Sequence, residues 1–259
     1  MKNFLLAFLF LCGAVVSAQF PQLHSEIPAK ADWFVGFDNL GANYFVTDNT
    51  FYKEKERKLL QYQNISFGKI ARGDLINPMN LVLFYKDFNA VVFLDNQLNE
   101  IRRINFSDFP EPLTVTAAGN ASQNRLWIYN SINQQIGLYD FLKNTVLYLA
   151  QPIKGDIVHY ETNFNHFYWI DDSGNRFSCD LFGKIISVGK FPVEPRTQFI
   201  SDTSILYLKN KELRHFSLDG NTEQLVDLGE KSVLGFWYGA QNLAIFTSEG
   251  ISLYKLKLR

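Results

Sequence analysis

Six times the chain passes through a short, solidly apolar stretch, a polar turn and a second apolar stretch. The first stretches begin near Tyr44, Val82, Leu126, Phe167, Ile205 and Leu243, at intervals of 38, 44, 41, 38 and 38 residues. A period of roughly 40 residues in a strand-rich sequence is that of sheets arranged radially about an axis, one four-stranded blade per repeat. The expected fold class is all-β: a six-bladed β-propeller of four-stranded antiparallel blades.

The third repeat shows the grammar. Leu126, Trp127, Ile128 and Tyr129 are apolar on both strand parities. A half-buried strand alternates, so an unbroken run means that both faces are covered, as between two neighbouring blades. A polar turn over 130–135, a strand over 136–139 ending at Asp140 and an outer strand over 145–149 complete the unit, with the innermost strand before it at 113–117. Ser173-Gly174-Asn175 and Asp219-Gly220 supply the positive-φ residues of tight strand connections. The sixth repeat ends after three strands. Residues 20–28, ahead of the first inner strand at 33–37, are expected to add its missing outer strand and close the ring, so that no sheet edge is left open there.

The N-terminus reads as an export signal. Lys2 is its positive start, residues 4–16 are almost wholly apolar, and Val16-Ser17-Ala18 has the small-residue spacing of a cleavage site. Cleavage after Ala18 leaves residues 19–259, or 259 − 18 = 241 residues, as one propeller domain. Leu11 before Cys12 does not fit a lipidation signal. Cys179 is then the one cysteine of the mature chain and is expected to be a small core residue rather than half of a disulfide. With 24 Phe, 12 Tyr and 4 Trp, packing can hold the fold without staples. The net charge of −1 gives nothing for nucleic acid to bind. The alternating charges of 53–58 read as a solvated hairpin. No second span follows, so the expected location is the periplasm or the exterior, with outer-membrane association through a partner.

In this degenerate strand–turn–strand pattern the mature chain resembles six-bladed propellers of the broad NHL/YVTN type and exported bacterial proteins of that shape. It has no tryptophan–aspartate repeat, kelch double glycine or complete sialidase Asp-box. The resemblance therefore implies a fold rather than an activity, since propellers serve as enzymes, scaffolds and lectins.

No motif carries recognisable chemistry. Asp95, Asp140, Asp180 and Asp219 recur at the ends of third strands, on separate blades, too far apart to share an ion whose ligands lie within about 2.6 Å. They read as turn formers. Asp171-Asp172-Ser173-Gly174-Asn175 lacks the ligand spacing of a calcium loop and falls where a hairpin is due. No metal or cofactor is expected. His159 and Glu161 share strand parity on an inner strand, and Arg196 falls on the next blade; these three are the candidates for acid–base chemistry at the axis. The inner strands read from the first, third and sixth repeats are mainly apolar or small, which argues against a lactonase-type calcium site.

The leading functional expectation is a non-catalytic binding or scaffold protein that docks a protein partner in the cell envelope. Turns between second and third strands share one propeller face. On it the candidate partner-binding residues are Phe88, Asn89, Ile132, Asn133, Asp171 and Asp172, with Phe88 and Ile132 the apolar anchors. The alternatives are a hydrolase or lyase acting at the central channel, and a carbohydrate-binding propeller.

Overall fold

Every blade owes its place to the two-sided apolar character of its middle strands. The computed structural model describes residues 21–258 except 28–30, 39, 112, 230 and 231; the expected export signal and cleavage site fall outside the described residues. Strand β1 (Gln22–Ile27) comes first. Blade 1 follows as β2 (Trp33–Phe37), β3 (Asn43–Thr47), β4 (Thr50–Lys55) and β5 (Lys58–Gln63). Blade 2 is β6 (Arg72–Asp74), β7 (Leu81–Tyr85), β8 (Ala90–Leu94) and β9 (Glu100–Asn105). Blade 3 is β10 (Val115–Ala121), β11 (Arg125–Asn130), β12 (Gln135–Asp140) and β13 (Thr145–Tyr148). Blade 4 is β14 (Ile157–Thr162), β15 (His166–Asp171), β16 (Asn175–Asp180) and β17 (Ile185–Lys190). Blade 5 is β18 (Thr197–Phe199), β19 (Ser204–Lys209), β20 (Glu212–Ser217) and β21 (Thr222–Leu225). Blade 6 is β22 (Gly235–Gly239), β23 (Asn242–Phe246), β24 (Ile251–Lys255) and, on its outer edge, β1. The six sheets are antiparallel and form a six-bladed β-propeller.

The ring closes as the truncated sixth repeat requires. β1 pairs antiparallel with β24, from Gln22 opposite Lys255 to Ile27 opposite Ile251. β2 lies at Trp33–Phe37 as the sequence implies, but β10 starts later than expected. β10 begins at Val115, where its pairing with β11 shifts register, because the Asn130 side chain takes the N–H of Thr114 in place of a ladder bond (3.0 Å). β6 and β18, only three residues each, carry no apolar pattern and escape a sequence reading.

Buried side chains gather between blades, not within them. Tyr44, Val46 and Phe51 of blade 1 pack on Leu81, Leu83 and Val92 of blade 2. Phe34 and Phe45 of blade 1 meet Ala244, Phe246 and Ile251 of blade 6, so the apolar seam is continuous across the closure. Cys179 is wholly buried in the seam between blades 3 and 4, and burial pushes its thiol up to about 12.

The seam between blades 4 and 5 is bolted by a buried cation. Arg176 on β16 is 2% exposed. Its Nη1 donates to the carbonyls of Ser201 and Asp202, both at 2.6 Å, in the first hairpin of blade 5. Its guanidinium lies 4.2 Å from the centre of the Phe199 ring. Burial lowers its pKa, yet a guanidinium stays charged in this range. Lys53 also departs from the solvated hairpin expected of its charge run: it is buried, and its Nζ reaches the carbonyl of Asn96 on blade 2 at 2.8 Å.

Arg176→Ala strands two carbonyls and leaves a void, and is expected to cost about 3 kcal/mol in urea denaturation; Lys143→Ala, on an exposed turn, leaves the midpoint nearly unchanged. Removing residues through Ile27 bares the edge of β24. The shortened chain is expected to melt lower and to elute as oligomers in size-exclusion chromatography with light scattering, where the full chain does not.

Candidate functional site

Six inner strands leave a space along the axis, and its lining is uneven. A channel of about 880 Å³ runs between β2, β6, β14, β18 and β22. Blades 1 and 6 supply an aromatic wall that includes Trp33, Phe37, Phe236 and Trp237, with Phe37 edge-on to Trp237 at 5.1 Å. Gly36 makes this approach feasible: a Cβ there would stand 2.5 Å from Nε1 of Trp237. Blades 2, 4 and 5 supply the polar groups Arg72, Asp74, His159, Glu161, Arg196 and Gln198. The channel is thus more polar than the sequence implies, because two of the inner strands that polarise it, β6 and β18, were not legible as strands.

His159 and Glu161 do project to one side, as their parity requires. Nε2 of His159 lies 3.1 Å from Oε1 of Glu161. That oxygen also accepts the backbone N–H of Phe199 from blade 5 at 2.7 Å. Holding a proton on Nε2 leaves the lone pair on Nδ1, which has no hydrogen-bond partner among the described residues. Arg196 lines the same channel from blade 5. The three sequence candidates therefore share one cavity.

The other polar groups are occupied. Asp74 accepts from the N–H groups of Ile76 at 3.0 Å and Asn120 at 2.7 Å, and from the Thr162 hydroxyl at 3.4 Å. Gln198 grips the backbone of blade 6, donating to the carbonyl of Tyr238 (2.6 Å) and accepting its N–H (2.8 Å). The Thr197 hydroxyl donates to the carbonyl of Glu194 at 2.9 Å. Arg72 spans from blade 2 to blade 4, its Nη1 donating to the carbonyl of Tyr160 (2.9 Å) and its guanidinium 4.6 Å from the centre of that ring. Among the described residues no three His, Cys, Asp or Glu side chains converge as a metal would require.

A second cavity, about 450 Å³, lies on the face carrying the turns between second and third strands, among blades 2, 3 and 4. Ala71 and Arg72 line both cavities. Its rim comes from the hairpins that hold the candidate partner-binding residues: Lys86 from the Phe88 turn, Ser131 and Gln134 from the Ile132 turn. Phe88 is 49% and Ile132 58% exposed. Phe88 leans on Phe67, with centroids 6.4 Å apart, and so is partly tucked onto the connection that leads from blade 1 into blade 2. Val158, 47% exposed, lines the cavity and Val193, 46% exposed, stands beside the blade 4 turn. Sequence reasoning missed both, because neither lies in a turn between second and third strands: Val158 is in the inner strand β14 and Val193 follows β17.

The remaining candidates are spent on structure. Asn89 donates to the carbonyl of Leu113 (2.6 Å) and accepts the N–H of Val115 (2.9 Å), so its amide splints the approach to blade 3. Asn49 grips Gly68 and Ile70 ahead of blade 2 in the same way. Asn133 accepts the N–H of Gln135 within its turn. Asp171 accepts the N–H groups of Ser173 and Asn175 and the Asn175 amide, which makes 171–175 a hairpin turn; Asp172 remains exposed. Asp95, Asp140 and Asp180 cap their turns similarly, and the N–H bonds hold all three carboxyls below the usual range.

Glu161→Ala leaves the Phe199 N–H without its acceptor and is expected to cost about 1–2 kcal/mol in urea denaturation, whereas Glu161→Gln, which keeps an acceptor oxygen, recovers most of the loss.

The sequence matches no family model and no curated relative. Solved structures share the fold. The β-propeller domain of Cps50 (Swd1) from Myceliophteria thermophila is 10% identical over 92% of this chain and 100% of that one, with a TM-score of 0.61. A structural-genomics protein from Bacteroides thetaiotaomicron is 12% identical over 92% and 73%, with a TM-score of 0.57. Virginiamycin B lyase from Staphylococcus aureus is 12% identical over 89% and 83%, with a TM-score of 0.55. At such identities the likeness is one of architecture, a wheel that carries binding and enzymatic roles alike.

Proposed function

We propose that this protein is a non-catalytic binding protein of the cell envelope or exterior, docking a protein partner on the turn face of blades 2, 3 and 4. One observation carries the reading: a recess of about 450 Å³ sits between hairpins that present Phe88 and Ile132 to solvent. The hairpins are held still, Asn89 tying one to the next blade and Asn130 closing the other by accepting the N–H of Ile132 at 3.2 Å. Apolar anchors on rigid supports lose little freedom on binding, and a recess between them takes a partner side chain. Its lining carries charges of both signs, Arg72 and Lys86 against Asp156. Envelope location rests on the N-terminal export signal. Among the described residues no helix is long and apolar enough to cross a membrane.

The rival reading is a hydrolase or lyase working in the axial channel. The His159–Glu161 pair and the shared wheel of a known lyase support it. Thr162 and Thr197 already donate elsewhere, which weighs against a threonine nucleophile but leaves general-base chemistry through His159 as the form this reading would take. A carbohydrate-binding propeller would use exposed rings, and the channel aromatics of blades 1 and 6 are the place for it.

Tagged protein purified from the envelope fraction in mild detergent is expected to bring a stoichiometric companion. Phe88→Asp with Ile132→Asp should reduce its recovery about tenfold or more. Leu59→Asp with Leu225→Asp, on the rim, should leave it unchanged. Equal recovery with the face variant moves the docking surface elsewhere.

A further inference from the structure

Two guanidinium groups line the axial channel, and neither is paired with a carboxylate. The ion pairs among the described residues involve Arg103, Lys143, His159 and Arg214. Arg72 is met by a carbonyl and a ring. The side chain of Arg196 is exposed and makes no hydrogen bond among the described residues. The two channel carboxylates are already served: Asp74 by three donors, and Glu161 by the Phe199 N–H and His159. Glu161 also acts on the buried Arg176 behind the wall. The charged group of the channel left without a hydrogen-bond partner among the described residues is therefore the Arg196 guanidinium.

The position of that charge is informative. Arg196 lies against the inner strand of blade 6, where Gly235 makes room: a Cβ on Gly235 would stand 2.9 Å from Nη1 of Arg196. Phe236 and Trp237 follow directly and continue the aromatic wall. A forked donor thus stands at the margin of a surface of aromatic rings, in a cavity of about 880 Å³, within the range of about 300–1,000 Å³ that suits a small-molecule ligand. A guanidinium receives a carboxylate through two parallel N–H bonds, while rings accept a planar body by offset or edge stacking.

We propose that the axial channel binds a small organic anion with a flat apolar body, its charged group on Arg196 and its body against Phe37 and Trp237. This site is separate from the docking recess, and the two readings stand or fall independently.

Naphthalene-2-carboxylate, naphthalene-2-sulfonate and the neutral naphthalene-2-carboxamide test it by isothermal titration calorimetry on the full chain. The carboxylate is expected to bind once per chain, about tenfold or more tighter than the amide; the sulfonate places planar against tetrahedral anions. Arg196→Gln should abolish the preference for the anion and leave the amide unchanged. Trp237→Leu should weaken both alike. Arg196 is exposed, so its variant is expected to keep the wild-type circular dichroism and melting temperature. Phe88→Asp with Ile132→Asp should leave probe binding untouched. Equal affinity for carboxylate and amide, a preference that survives Arg196→Gln, or no binding of any probe at about millimolar concentration overturns the assignment.

Discussion

No blade of this protein can bury its middle strands alone. Val82, Leu83, Phe84, Val91 and Val92 are covered on both parities, so each sheet needs a neighbour on either side. That need can end only in a closed ring or in an exposed face. The antiparallel pairing of β1 with β24 ends it, because it completes the sheet that faces blade 5 on one side and blade 1 on the other. The cores, the channel and both turn faces follow from that closure.

Polar side chains then decide how evenly the wheel is drawn together. Arg72 reaches past blade 3 to blade 4, and Asp74 takes donors from blades 3 and 4. These contacts knit the inner ends of blades 2, 3 and 4. On the other side of the axis, blades 6 and 1 meet the channel with aromatic rings, and blade 5 meets it with Gln198 and one unengaged guanidinium. The division yields two cavities of different character with Arg72 in the wall of each. Asn49, Asn89 and Gln198 serve as peptide surrogates, each engaging one backbone N–H and one carbonyl of an adjoining blade. An amide side chain can do this because it carries a donor and an acceptor in the same geometry as the main chain.

The repeat and its sheet order were readable because burial on two faces leaves an unbroken apolar run, as in Leu126 to Tyr129. The ring closure followed from a missing strand and an unassigned segment. His159 and Glu161 were readable as a pair since strand parity alone puts them on one side. Arg72 to Asp74 was not: an Arg-Gly-Asp triplet makes no pattern, and the partners Tyr160 and Thr162 lie 88 residues on. Asn89 looked like a turn residue free to meet a partner, and only the path of the next blade shows where its amide goes. Nothing in the strand over 175–180 marks Arg176 as buried; blade 5, which covers it, comes 25 residues later. In each case the missing information was non-local, a contact across blades that no window of sequence contains.

The join between β1 and β24 sets the order in which the wheel can form. Gln22 and Lys255 face each other across 255 − 22 = 233 residues of chain. Loop closure on that scale is slow, because long-range pairings are reached only after most of the chain is in place. The first strand therefore waits, unpaired, until the last has been made. During biogenesis the chain is a row of half-covered sheets that becomes a finished wheel in its final step.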